Sequence, residues 1–208
     1  SSDVYFYALG GGYKDQKGLG IDRLDKFAMM FGMGEETGIE LDREVAGNIP
    51  SPAWKASTPK DSRWRLGDTY ISSIGQYGFL TTPVQMAKAV GALATNGKLV
   101  KPTIFLGNVT NSDKYLGSAA VATEKYTQID ISPEDFKVVQ EGMRQGVTDS
   151  DGTARALNLM DVKVAAKTGT AELGITKKMV NSWGTGYFPY DDPKYSFAIV
   201  MEKGSREN

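Results

Sequence analysis

Neither cysteine nor histidine occurs among the 208 residues. Without cysteine there is no disulfide, thiolate metal site, iron–sulfur cluster or cysteine nucleophile. Without histidine there is no Ser-His-Asp triad, no H-E-x-x-H zinc site and no imidazole acid–base pair. An excess of one charge is missing as well. Lys and Arg total 24 against 25 Asp and Glu, a formal net charge of −1, so the sequence has no broad basic footprint for nucleic acid and no polybasic membrane patch. Long apolar runs, internal repeats and low-complexity linkers are absent too. Any proton chemistry must therefore run on Lys, Asp, Glu, Tyr or Ser, and a lysine with a lowered pKa is the usual substitute base.

What is present describes a globular chain. Hydrophobic residues make up 40% and charged residues 24%, and the length is enough for one domain with a real core. Ser2 or Asp3 can cap a short helix over Val4 to Leu9 that stops in Gly10-Gly11-Gly12. Ile21, Leu24, Phe27, Ala28 and Phe31 share one helical face. Residues 35 to 70, with three prolines, read as loop with short strands. Thr82-Pro83 starts a better-marked helix, with Ala87, Val90 and Ala94 at core spacing and Asn96-Gly97 closing it. Leu99 to Leu106 reads as a strand in which Pro102 indicates an edge or a break. Ser132-Pro133-Glu134-Asp135 opens another helix, whose apolar face is Phe136, Val139, Met143 and Val147.

From residue 162 the period changes. Val162, Val164 and Ala166 alternate with Lys163, Ala165 and Lys167, the pattern of a half-buried strand. Trp183 to Phe188 and Tyr195 to Met201 form two more strand candidates, joined by turn-rich Pro189-Tyr190-Asp191-Asp192-Pro193-Lys194 as an antiparallel hairpin. Helices come first and an antiparallel sheet last, which predicts an α+β fold. The ends, at Ser1-Ser2-Asp3 and just after a strand-like stretch at Glu202–Asn208, do not read as natural termini, so a longer polypeptide is expected.

The sharpest local signal is Lys167-Thr168-Gly169-Thr170. On a strand, Thr168 and Thr170 present two hydroxyls to one face, Lys167 adds a cation, and Gly169 lets something approach the backbone. Such an edge suits an anionic group held by hydroxyls, cation and main-chain N–H groups. A surface strand with a glycine bulge is the bland alternative, and a lone Lys-Thr-Gly triplet is weak evidence by itself.

The triplet does not stand alone. Penicillin-binding proteins and serine β-lactamases carry an ordered S-x-x-K, S-D-N and K-T-G set. Lys167-Thr168-Gly169-Thr170 resembles the third element, and Ser1-Ser2-Asp3 resembles the second in an S-x-D form. Ser73-Ile74-Gly75-Gln76 with Thr82-Pro83-Val84-Gln85-Met86-Ala87, and Ser182-Trp183-Gly184-Thr185-Gly186-Tyr187, resemble stretches of class B transpeptidases. Gly20-Ile21-Asp22-Arg23, Phe31-Gly32-Met33-Gly34, Thr37-Gly38-Ile39 and the Gly152-Thr153-Ala154 turn also fit in order. The chain is thus similar over nearly its whole length to the transpeptidase domain of class B penicillin-binding proteins, most of all the elongation-type penicillin-binding protein 2 branch.

That resemblance implies a penicillin-binding protein/serine β-lactamase-like fold, incomplete at the N-terminus and at the C-terminus. Residues 1–208 would be the C-terminal part of one transpeptidase domain, helical over about 1–160, with sheet strands over about 161–203. It implies peptidoglycan D,D-transpeptidase activity, in which a serine acyl-enzyme cross-links stem peptides. By carry-over Ser1 would pass protons, Asp3 would orient the neighbouring lysines, and Lys167 would supply positive potential and position Ser1. Thr168, Gly169 and Thr170 would bind substrate, the two hydroxyls holding its terminal carboxylate and the Thr170 N–H forming half of the oxyanion hole. No cofactor and no metal is implied. Partners would be D-Ala-D-Ala stem peptides, β-lactams, a membrane glycosyltransferase and elongation-complex proteins, with no nucleic acid. The location would be the extracytoplasmic, periplasmic face of a bacterial cell membrane, through an N-terminal anchor outside this sequence.

Three departures bear on this. No S-x-x-K fits: Ser57-Thr58-Pro59-Lys60 has the spacing, but Pro59 would disturb the required helix, so the nucleophile is expected upstream and residues 1–208 alone are expected to be inactive. Asp3 stands where Asn is commoner, which loses a donor and favours pairing with lysine. Gly184 stands where relatives usually hold a bulky apolar residue, which would weaken packing behind the lysine strand. A D,D-carboxypeptidase, a β-lactamase-like hydrolase, or a non-catalytic penicillin- or peptidoglycan-binding sensor remain alternatives at this stage. Asp149, Asp151 and Asp161 read as solvated turn residues. Trp54 and Trp64, flanked by Arg63 and Arg65, read as loop anchors ahead of a glycan or partner groove.

Overall fold

A computed structural model describes residues 2–58, 63–104, 126–174 and 177–206. Ser1, Pro59, Lys60 and the end of the predicted strand beyond Ile104 lie outside the described residues. The first helix, α1 (Asp3–Gly11), is capped by Ser2, whose Oγ accepts from the Tyr5 N–H at 3.4 Å, and Asp3 places a negative charge in its first turn. The helix runs through Gly10 and Gly11 before Gly12, at φ 89°, ends it. Side chains at Gly10 and Gly11 would collide with the next packing partner: a Cβ on Gly11 would lie 2.1 Å from the Tyr70 ring, and one on Gly10 2.5 Å from Ser73 Cβ.

Helix α2 (Ile21–Met30) forms as expected, but its buried stripe is rotated. Ile21 and Asp25 are buried, Leu24 and Ala28 half-buried, and Phe27 is exposed. Burial pushes the Asp25 carboxyl up to about 6, with Asp22 adding to the rise.

The stretch read as loop with short strands instead holds two short helices, α3 (Pro52–Ala56) and α4 (Leu66–Ser72). Ser51 caps the first, with Pro52 at its start; the second starts where the Asp68 carboxylate accepts from the Arg65 N–H at 2.7 Å. They are tied together by Lys55 Nζ, which donates to Asp68 Oδ2 at 2.6 Å in a buried ion pair.

The next helix, α5 (Pro83–Ala94), has the predicted Thr82 cap, completed by Gln85 in a capping box. Its Val90 and Ala94 are buried. A two-stranded antiparallel ladder of β1 (Lys98–Val100) and β2 (Tyr126–Gln128) follows, the strand stopping before Pro102. Ser132 caps α6 (Pro133–Thr148), which buries Phe136, Met143 and Val147 but leaves Val139 exposed.

The main sheet is antiparallel, in the order β3 (Ala165–Leu173), β4 (Met179–Phe188) and β5 (Tyr195–Ser205). The predicted alternation at its start gives way to consecutive burial of Val164, Ala165 and Ala166. Both faces are covered there. Ala165 packs with Val90, Ala94, Met143 and Tyr187, while Ala166 packs with Val147, Ala154 and Val164, flanked by Phe188 and Phe197. At Gly184 an added Cβ would meet nothing within 4 Å, so the space a bulkier side chain would fill is open. The fold is α+β, with α5 and α6 laid against the sheet and β3 left with one free edge.

Candidate active site

The free edge of β3 faces a cavity of about 1000 Å³. Three other elements complete the walls: the N-terminal part of α1, the turn after α4, and the turn after α6. Of the residues singled out by sequence, Asp3, Lys167, Thr168, Gly169 and Thr170 all line this one cavity. Ser1 lies outside the described residues.

The backbone of β3 is oriented for use. The Ala165 carbonyl faces Gly186 of β4, and the Lys167 carbonyl accepts from Thr185 Oγ1 at 3.3 Å. The intervening carbonyls turn the other way. That of Ala166 abuts Gly146 of α6, that of Thr168 accepts from Lys167 Nζ, and that of Thr170 accepts from Gln76 Nε2 at 3.4 Å. Because a strand residue points its N–H and C=O to the same side, the Thr168 and Thr170 N–H groups also face away from β4. The strand thus offers the cavity main-chain donors, two hydroxyls and one cation. Gly169 is paired with Trp183, and an added Cβ would sit 3.4 Å from that side chain, so the packing alone does not demand glycine here.

Lys167 opens onto the cavity, yet the crowding of its ammonium pulls its pKa below the ordinary lysine value. The Asp3 carboxylate, across the cavity on the first turn of α1, acts in the opposite direction. A lysine so placed is easier to deprotonate than a solvated one.

The turn after α4 supplies Ser73, Ile74, Gln76 and Tyr77 to the cavity. It is fixed from beneath. Ser73 Oγ donates to the Tyr70 carbonyl at 2.6 Å, and Tyr70 Oη donates to Gly12 at the end of α1 at 2.9 Å. Tyr77, at φ 60°, is clasped edge-on by Trp54 and Trp64, with ring centroids 5.7 and 6.0 Å away. These half-buried tryptophans thus anchor Tyr77. Lys55 Nζ sits 5.4 Å from the Tyr77 ring while bound to Asp68. Hydrogen bonding to Asp68 and then to Tyr77 holds Lys55 up at about 12 against its burial. Burial pushes Asp68 up, but its bonds to Lys55 and to the Arg65 N–H hold it below the usual carboxylate range.

Thr153 also lines the cavity and accepts from Thr168 Oγ1 at 2.7 Å. Its triplet reads as a turn, and the sequence offers no sign that the hydroxyl reaches Thr168. At the cavity mouth Glu172 pairs with Lys177 at 2.8 Å and with Arg206 at 2.6 Å, the second contact joining segments 34 positions apart in sequence. Ser57 does not line the cavity; it closes α3, its Oγ donating to the Trp54 carbonyl at 2.7 Å. Among the described residues, Asp149, Asp151 and Asp161 do not come together as a metal-binding cluster.

Comparison with known proteins agrees with this geometry. A family model described as the penicillin binding protein transpeptidase domain matches residues 1–208. The Haemophilus influenzae peptidoglycan D,D-transpeptidase MrdA is 33% identical over 97% of this chain and 32% of its own length. A Helicobacter pylori penicillin-binding protein (PBP2) superposes with a TM-score of 0.77 at 31% identity, over 98% of this chain and 34% of that one. The same H. pylori protein in complex with MreC superposes with a TM-score of 0.77 at 30% identity, over 98% and 35% of the two chains. The chain thus spans about a third of the length of the relatives it matches.

Proposed function

The chain belongs to the penicillin-binding protein transpeptidase family, and from that membership we propose that residues 1–208 are the C-terminal part of one peptidoglycan D,D-transpeptidase domain. In this reading a serine Oγ attacks the penultimate D-Ala carbonyl of a stem peptide. The C–O bond forms, the C–N bond to the terminal D-Ala breaks, and the serine proton passes to the leaving amine. An amine of a second stem then displaces the serine, leaving a cross-link.

The observation that carries the reading is the free edge of β3 facing Asp3 across one cavity. Thr168 and Thr170 would hold the terminal carboxylate, with Lys167 giving the positive potential that an anion needs. Gly169 keeps the strand bare where the substrate backbone lies along it. The Thr170 N–H, directed away from β4, would be one donor of the oxyanion hole, a type of contact worth about 10²–10³ in rate. Ser1 would pass protons between the base lysine and the leaving amine, and Asp3 would orient the lysines.

Residues 1–208 do not themselves supply the nucleophile. Ser57 is the one serine with a lysine three places on, and it closes a helix away from the cavity. The nucleophilic serine and its lysine would come from sequence outside these residues, and residues 1–208 alone would be inactive. Among the described residues no helix is long and apolar enough to cross a membrane. An anchor in sequence outside this chain would hold the domain at the periplasmic face of the cell membrane. The MreC complex of the H. pylori relative supports an elongation-type assembly, with a membrane glycosyltransferase as a further partner.

The test is intact-mass spectrometry of the full-length protein after incubation with benzylpenicillin. One covalent adduct on a serine outside residues 1–208 is expected, and Lys167→Ala should slow its formation by about 10²-fold or more. No adduct on a folded protein would sink the catalytic reading.

A further inference from the structure

Thr153 is held in a closely hydrogen-bonded turn. After α6 the Gly152 N–H donates to the Asp149 carbonyl at 3.0 Å, and the Ala154 N–H donates back to the Gly146 carbonyl at 2.9 Å. A Cβ on Gly152 would lie 2.5 Å from the Gly146 carbonyl oxygen, so a side chain there would force this turn open. Ala154 is then sealed into the core with Val147, Val164 and Ala166. Thr153, between two anchored neighbours, has its backbone fixed and its hydroxyl in the cavity against Thr168.

A threonine hydroxyl has one proton to give and two lone pairs to receive with. As the structure stands, the Thr168 proton is directed to Thr153 Oγ1. For Thr168 to donate to an anion, that proton must turn away from Thr153. Thr153 can then reverse the bond and give its own proton to Thr168 Oγ1. After reversal both oxygens remain paired, and the accepted bond polarises the Thr168 O–H towards the anion. A valine in place of Thr153 would fill similar space but could neither accept from Thr168 nor donate to it.

We propose that Thr153 is a third hydroxyl of the anion-binding edge, a positioning residue that donates to Thr168 so that Thr168 can donate to the carboxylate of the substrate. The inference rests on the reading of β3 as the carboxylate site of a transpeptidase. It makes discrimination between carboxylate and neutral ligands a property of three hydroxyls from two segments, the turn after α6 and β3.

The test measures acylation of the full-length protein by benzylpenicillin and by benzylpenicillin methyl ester, which lacks the anionic carboxylate. Thr153→Val should lower the efficiency of acylation by the free acid about tenfold, corresponding to the loss of one charge-assisted hydrogen-bond contribution. The loss should lie in the half-saturating concentration more than in the limiting rate, and the ester should react at close to the wild-type rate. Thr153→Ser, which keeps the hydroxyl, should stay within about twofold of wild type on both compounds. The inference is overturned if Thr153→Val acylates normally, if it loses equally on acid and ester, or if Thr153→Ser fails along with it. A wild-type protein that takes up no penicillin would instead overturn the transpeptidase reading on which the inference rests.

Discussion

Lys167 shows how the cavity sets the chemistry of a single side chain. Burial lowers its pKa, and Asp3 raises it again through space. If acylation needs the lysine cationic, the rate falls as pH rises through the pKa of the folded protein, which lies below that of free lysine. Removing the Asp3 charge removes the influence that favours the ammonium, so the pKa falls further. Asp3→Asn should therefore move the alkaline limb of the acylation rate to lower pH, read from a pH profile in the full-length protein. A limb that stays put or moves up would show that Asp3 does not act on Lys167. Much of this was legible at the residue scale, because the Lys-Thr-Gly-Thr run and Ser-x-Asp carry their chemistry in a few adjacent letters. Thr153 was not, since nothing in Gly152-Thr153-Ala154 tells a reader that its turn ends against Thr168.

Among the elements, helices with complete local signals stand where the sequence places them. Thr82-Pro83 with Gln85, and Ser132-Pro133 with Asp135, satisfy their own first-turn N–H groups, so neighbours in sequence decide the start. Helices α3 and α4 escaped because five and seven residues are too few for an apolar period to emerge. One buried ion pair ties them together, and α4 packs on α1 through Tyr70 and Ser73. Lys55 and Asp68 are 13 positions apart, and the bond between them, with Tyr77 clasped by the two tryptophans, is tertiary information. Asp68→Ala takes away both the carboxylate that holds the Lys55 ammonium and the bond that starts α4. That loss should lower the unfolding temperature of the transpeptidase domain by about 5–15 °C, as followed by calorimetry of the full-length protein. A paired Lys55→Met/Asp68→Leu variant, which buries no charge, should recover most of it. If the double variant melts as low as Asp68→Ala, the cause is lost helix capping and not the stranded lysine.

At the scale of the whole molecule the cavity is a seam. One wall, α1 and the turn after α4, comes from the first 77 residues, and the other, built on β3 with the turn after α6, comes from residue 153 onwards. Sequence order alone predicts helices before sheet; that the start of the chain faces the Lys-Thr-Gly strand was implied only by the family resemblance, and the packing of α1, α4 and the sheet is what brings Asp3 and Lys167 to one cavity. Among the described residues the two walls touch only lightly. The Gln76 bond to the Thr170 carbonyl is 3.4 Å, and the Asp3 influence on Lys167 acts through space. A ligand that touches both walls would therefore supply the coupling that the protein itself only sketches. A ligand held by β3 alone would rigidify β3 alone. In hydrogen exchange on the full-length protein, a bound penicillin should slow the amides of Thr168 and Thr170 together with those of residues 73–77, each by about tenfold or more. Before acylation the Thr168 and Thr170 amides should exchange faster than those of Lys167 and Gly169, which face β4. Protection confined to β3 would mean that α1 and the α4 turn only frame the cavity, and the two-wall account of the site would fail.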